Sequence, residues 1–230
     1  MTNPTKQMLQ RLLIAVVFSM AFGYIESAVV AYLRALFHPD GFTFPMQVFA
    51  VTSAGKRLLL TEIGREAATL TLTLTAAWLF GSTWQERAAY WLVIFAIWDI
   101  FYYVWLKVLL DWPASIMNWD VLFLIPVIWA APVLYPVLVS LGMFLFAVVI
   151  LYRCAHGRPL AVTYGDWAGW LLSVMMVVVS FCLGGTHITE PDYADYFHRS
   201  LFAAGYVLGA ATCLMCLRRS FAREYVAAPG

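Results

Sequence analysis

Six stretches of this chain are long and apolar enough to cross a bilayer, near residues 11–36, 57–80, 88–110, 119–152, 166–184 and 197–217. Crossing roughly 30 Å of hydrocarbon takes about 20 mostly apolar residues. A helix satisfies its own backbone there, and an open strand does not. Composition closes off the soluble alternative, since 63% of the 230 residues are hydrophobic, 12% are charged and the mean hydropathy is +0.80. Too few polar groups remain to cover a globule. The expected fold is an all-α integral membrane protein, one polytopic domain over residues 1–230 built as a bundle of about six transmembrane helices.

The fourth stretch is too long for one simple helix, and Pro126, Pro132 and Pro136 interrupt it. It is expected to be a proline-broken helix, capped by Asn118, with Asp120 in the first turn where the helix dipole favours an anion. Such a break exposes backbone carbonyls, which is tolerated only inside protein or beside a cavity. The first stretch follows Lys6 and Arg11 as a signal peptide would, but it is too long, carries Glu26 and lacks a small-x-small site. It is expected to remain as structure.

Six spans place both termini and the loops around Gln85 and Gly157 on one side, with Lys6, Arg11, Arg87, Arg153, Arg158, Arg218, Arg219 and Arg223. The positive-inside rule makes that side cytoplasmic, as in a bacterial-type inner membrane. The formal net charge is +1 and the basic residues are scattered, so nucleic acid is excluded as a partner.

Against this background the run TEIGREAATLTLTLTAAW, residues 61–78, is anomalous. On a helix turning about 100° per residue, Glu62, Glu66, Thr69 and Thr73 share one stripe, with Arg65 on its flank. TLTLTLT alternates like a strand, but its place in a span predicts helix, with threonines bonding back to carbonyls. Span one brings Glu26 to a comparable outer depth, and span three brings Asp99, followed by Tyr102 and Tyr103. Were those four acids all ionised against Arg65 alone, the outer half of the bundle would carry a formal −3. One unpaired charge at the bilayer centre already costs about 3 kcal/mol. Protons, a bound cation, or Arg34, Lys107 and water must neutralise the excess. The plainer alternative is that Arg65 and its two glutamates only lock span two into the bundle.

An oxygen-rich set of Glu26, Glu62, Glu66 and Asp99 would suit a hard divalent cation such as magnesium, calcium or manganese, or iron with a histidine. His38, His187 and His198 lie on the outer side, and no histidine spacing builds a dinuclear helix site. Haem is not expected, because no pair of histidines lies deep in the spans.

Trp84, Trp91, Trp98, Trp105, Trp112 and Trp119 recur at intervals of seven. That spacing keeps one helix face with a drift of about 20° per repeat. Trp91, Trp98 and Trp105 ride on span three, and their stripe meets lipid or another subunit, or walls a flat apolar ligand such as a quinone, carotenoid or isoprenoid. Cys213 and Cys216 form C-x-x-C at the cytoplasmic end of the last span and read as inert thiols. Gly205 and Gly209 form a small face for close helix packing, within the chain or between protomers.

No Walker loop, dinucleotide fingerprint, nucleophile elbow or HExxH is present. The leading expectation is a proton- or cation-binding transporter or ion-coupled module, with Glu26, Glu62, Arg65, Glu66, Asp99, Tyr103 and Asp120 as the binding set. A second is an intramembrane enzyme acting on a lipid, isoprenoid or quinone through carboxylate acid–base or metal chemistry. A third is an accessory subunit of a larger membrane complex, or a homo-oligomer, with the tryptophan stripe as contact surface. Membrane lipid is the one partner common to all three.

Overall fold

The computed structural model describes residues 3–39, 41–46 and 53–227, apart from the side chains at 53–54 and 224–227. Its helices are α1 (Pro4–Phe37), α2 (Ser53–Phe80), α3 (Trp84–Leu110), α4 (Leu134–Ala155), α5 (Tyr164–Gly185) and α6 (Arg199–Ala227). Five are long and apolar enough to cross a membrane: α1, α3, α4, α5 and the segment running into α6. This is the architecture of an integral membrane protein. The helix α2, which carries Glu62, Arg65 and Glu66, is not among those five.

The fourth span departs from expectation. Residues 119–132 form no broken helix but an antiparallel hairpin of β1 (Trp119–Phe123) and β2 (Trp129–Pro132), with Asp120 opposite Ala131 and Val121 opposite Ala130. Three prolines rule out a continuous helical ladder, while the aromatic and branched residues of WDVLF favour a pleated ribbon. Two short strands satisfy one another's backbone, and neighbouring helices cover them, which meets the same membrane constraint as a helix. Pro126 sits in the hairpin tip and Pro132 ends β2. Pro136 falls in the first turn of α4, where a missing N–H costs no helical bond. Asn118 is a turn residue rather than a cap. Its Oδ1 accepts from the Ser115 N–H at 2.6 Å, and its carbonyl accepts from the Val133 N–H at 3.0 Å.

The central helix is α3, packed against α1, α2 and α4. Gly23 lets α1 approach closely, since a Cβ there would lie 3.2 Å from the Trp98 carbonyl. Ser27 then donates across the same seam to the Tyr102 carbonyl at 2.9 Å. A second unit is the α5–α6 pair, which meets the rest largely through β2. Its closeness comes from Gly205 and Gly209, both set against Ser173 of α5, so this small face is used within the chain. The threonines of TLTLTLT bond back as expected, Thr71 to the Ala67 carbonyl and Thr75 to the Thr71 carbonyl, each at 2.8 Å.

Two ends of the bundle can be named by their contacts. At the terminal end Thr5 of α1 meets His156 beyond α4, Trp84 stacks near Trp167, and Gln85 exchanges hydrogen bonds with the Leu160 peptide at 2.9 and 2.8 Å. The start of α5 is held there by a Thr163–Asp166 capping box that Arg219 joins at 2.7 Å. At the hairpin end Arg34 of α1 meets Asp120 of β1. From there β1 runs inward until Phe123 lies against Trp98, midway along α3.

Candidate functional site

A cavity of about 1520 Å³ opens between α2 on one side and α5 and α6 on the other, with α3 and α4 as its back wall. It extends from Trp84, Gln85 and Leu217 at the terminal end to Arg34, His38 and Asp120 at the hairpin end. Its middle is apolar, faced by Trp91, Phe95 and Trp98 of α3, Met143 and Phe146 of α4, and Trp170 and Val174 of α5. Aromatic contacts continue the wall across the hairpin, Trp98 to Phe123 at 6.2 Å, Phe123 to Trp129 at 5.6 Å and Trp129 to Phe181 at 6.4 Å.

All charged side chains that line the cavity lie toward its hairpin end: Glu26, Arg34, Glu62, Arg65, Glu66, Asp99 and Asp120. They fall into separate bonded groups. Arg65 bridges two helices, donating through Nη1 to Glu26 and through Nε to Glu62 at 2.8 Å, while Thr69 donates to the other oxygen of Glu26 at 2.8 Å. At the next position of α2 after Arg65, Glu66 accepts the Leu124 N–H of the hairpin tip at 2.8 Å. Asp99 accepts from the Ser140 hydroxyl of α4 at 2.7 Å. Arg34 donates to Asp120 at 3.0 Å, and its guanidinium lies between the rings of Phe42 and Trp112, 4.0 and 3.9 Å from their centroids. His38, just past α1, has its pKa lowered by burial and by the Arg34 charge, so it adds no charge at neutral pH.

All seven residues of the expected proton- or cation-binding set, Tyr103 included, therefore line one cavity. Their roles differ from a common ligand shell. Glu26 and Glu62 are turned to Arg65, one Glu66 oxygen is held by the hairpin, and Asp99 faces α4. Among the described residues no group of three or more His, Cys, Asp and Glu side chains is arranged to hold a metal ion. Glu26, Glu62, Glu66 and Asp99 do not form such a group: the first two are turned to Arg65, and Glu66 and Asp99 are each held through one oxygen by different elements.

The tryptophan stripe divides. Trp91 and Trp98 face the cavity, but the indole of Trp105 donates to the Met20 carbonyl at 2.9 Å and its ring meets Tyr24 edge-on at 5.4 Å. The accumulated drift of a sevenfold repeat carries the third member round to α1. The cysteines are free, and Cys213 lines the cavity.

Three participants were not legible as site residues: Arg34 as the partner of Asp120, the Leu124 amide and Ser140. An arginine near a span end was visible, but a pairing across 86 residues has no local signal. A backbone amide donor depends wholly on the hairpin that sequence reading missed. Compared with family models, with curated proteins and with solved structures, the chain matches none.

Proposed function

We propose that the protein takes a long-chain amphiphile, a lipid or isoprenoid, from the bilayer into its cavity and holds the polar head among the hairpin-end carboxylates. The observation that carries this reading is one continuous cavity of about 1520 Å³ whose body is apolar and whose charges gather at one end. Ligand pockets for drug-sized molecules run to about 1,000 Å³, so this volume suits a longer chain. Apolar walls offer an ion nothing in exchange for its hydration shell. They suit an alkyl or polyprenyl tail, and the gap between α2 and α5 would give it a lateral entrance. With the basic termini inside, the head would lie toward the outer leaflet. Glu66 and Asp99 are the groups placed to exchange protons with it.

Native mass spectrometry after gentle extraction tests this directly. The expected result is a bound amphiphile at near one per chain that survives detergent exchange; protein released from its own membrane free of any such mass would defeat the reading.

A second reading is favoured by one observation. Among the described residues neither Glu66 nor Asp99 takes part in an ion pair. Membrane-depth carboxylates without a basic partner are the usual carriers in proton- and cation-coupled transport. On that reading, liposomes holding the protein show a pH- or cation-driven flux that Glu66→Gln abolishes, and an equal flux in the variant would dismiss it.

A further inference from the structure

The hairpin end of the cavity is lopsided in charge. Two arginines face five carboxylates there, a formal −3 with His38 neutral. Arg65 is shared by Glu26 and Glu62, which leaves one negative charge there, and Arg34 is committed to Asp120, so the other two negative charges of the excess reside on Glu66 and Asp99. Glu66 is 7% exposed, yet only one of its oxygens is bonded, to the Leu124 amide. Asp99 likewise uses one oxygen, toward Ser140. The second oxygen of each has no partner among the described residues, and both side chains line the cavity.

A polar head entering this space meets unfilled acceptors on Glu66 and Asp99, while Arg34 and Arg65 are each ion-paired, Arg34 keeping one buried nitrogen, Nη1, without a hydrogen-bond partner. An acceptor that loses its water to a bound ligand without gaining a donor is costly, and like charges brought together repel. We infer that the amphiphile bound here carries a cationic, hydrogen-bond-donating head of the amine class, and that phosphate-headed lipids are rejected. This rests on the lipid-binding reading above and narrows its ligand. An ammonium supplies three donors and a positive charge, so it can donate to the free oxygen of Glu66 or of Asp99 and offset the negative charge gathered at this end. A hydroxyl supplies one donor and no charge. A phosphate brings negative charge to carboxylates, and both arginines there already have their charge paired, the one unpartnered guanidinium nitrogen, Nη1 of Arg34, being buried.

Three probes with one chain separate these heads: hexadecylamine, hexadecanol and hexadecyl phosphate. Each is titrated against a pyrene-tagged hexadecyl chain bound to the purified protein in a neutral maltoside detergent at pH 7. Energy transfer from the lining tryptophans reports displacement. The expected order is amine, then alcohol, then phosphate, with the amine ahead of the phosphate by roughly tenfold or more. In Glu66→Gln/Asp99→Asn the amine falls to the level of the alcohol. The wild-type order alone decides the matter should that variant fold poorly. A phosphate that competes as well as the amine overturns the head assignment and leaves the cavity reading standing. Failure of the tagged chain to bind at all removes the cavity reading, and the head assignment goes with it. An amine preference unchanged in a folded double variant overturns the role of the two carboxylates.

Discussion

Replacing Arg34 with methionine is expected to destabilise the protein by about 3–5 kcal/mol, the usual cost of stranding one member of a buried ion pair. The side chains of Arg34 and Asp120 are 9% and 3% exposed, so water does little to screen them. Removing the guanidinium leaves Asp120 buried inside the hairpin and also empties the slot between Phe42 and Trp112. Thermal unfolding in detergent, followed by tryptophan fluorescence, is the measurement. The double replacement Arg34→Met/Asp120→Leu should recover most of the loss, because a well-packed apolar pair can equal a buried ionic one. A single variant that melts with wild type would show that the pair is hydrated and that something else anchors β1. The outcome bears on function, since this pair holds the strand that leads to Leu124 and Glu66.

The second large effect is expected at Gly184 and Gly185, which close α5. A Cβ on Gly184 would collide with the Ala130 carbonyl, and one on Gly185 with the Ile128 carbonyl, in each case a backbone oxygen of the hairpin. A flexible side chain could turn away from such a clash. The hairpin has no such freedom, because β2 is paired to β1, and β1 is tied through Asp120 to Arg34 and, just past its end, through the Leu124 amide to Glu66. Overpacking of this kind costs about 1–3 kcal/mol and sometimes more, so Gly185→Ala should lower the melting temperature clearly and loosen the hairpin. Faster deuterium uptake at 121–131 would report the loosening. Gly64→Ala is the control, because nothing lies within 4 Å of a Cβ at that helical position. There alanine should stabilise by about 0.5–1 kcal/mol through helix propensity. Equal behaviour of the two variants would mean that α5 and the hairpin are not in the contact described.

These two predictions concern the element least readable from sequence. The helix positions of α1, α3, α5 and α6 follow from hydrophobic length, the expected segments overlapping them to within a few residues at most ends; α2 also coincides with an expected segment but is not apolar enough to be counted among the spanning helices. That agreement has a simple cause, since in hydrocarbon a spanning backbone must satisfy itself locally and local composition then dictates the outcome. The exception is instructive. NWDVLFLIPVIWAAP carries the same apolar signal, but its prolines remove helix as a local solution, and what replaces it depends on whether other elements can cover a ribbon. Here that cover comes from α5 and α4 packed against β2, with Gly184 and Gly185 at the contact.

The candidate site shows the same division. That Glu26, Glu62, Arg65, Glu66 and Asp99 line the interior cavity follows the expectation from sequence that ionisable groups in largely apolar segments turn toward protein. The helical stripe of Glu62, Glu66, Thr69 and Thr73 likewise needed only the 3.6-residue period. Which acid meets which partner was decided by tertiary structure. Periodicity places a side chain on a face but says nothing of the helix opposite, so Arg34 with Asp120, Asp99 with Ser140 and Glu66 with the Leu124 amide arise only once α1, α4 and the hairpin are packed. The cavity belongs wholly to that level, being the space between α2 and α5 that no single segment encodes.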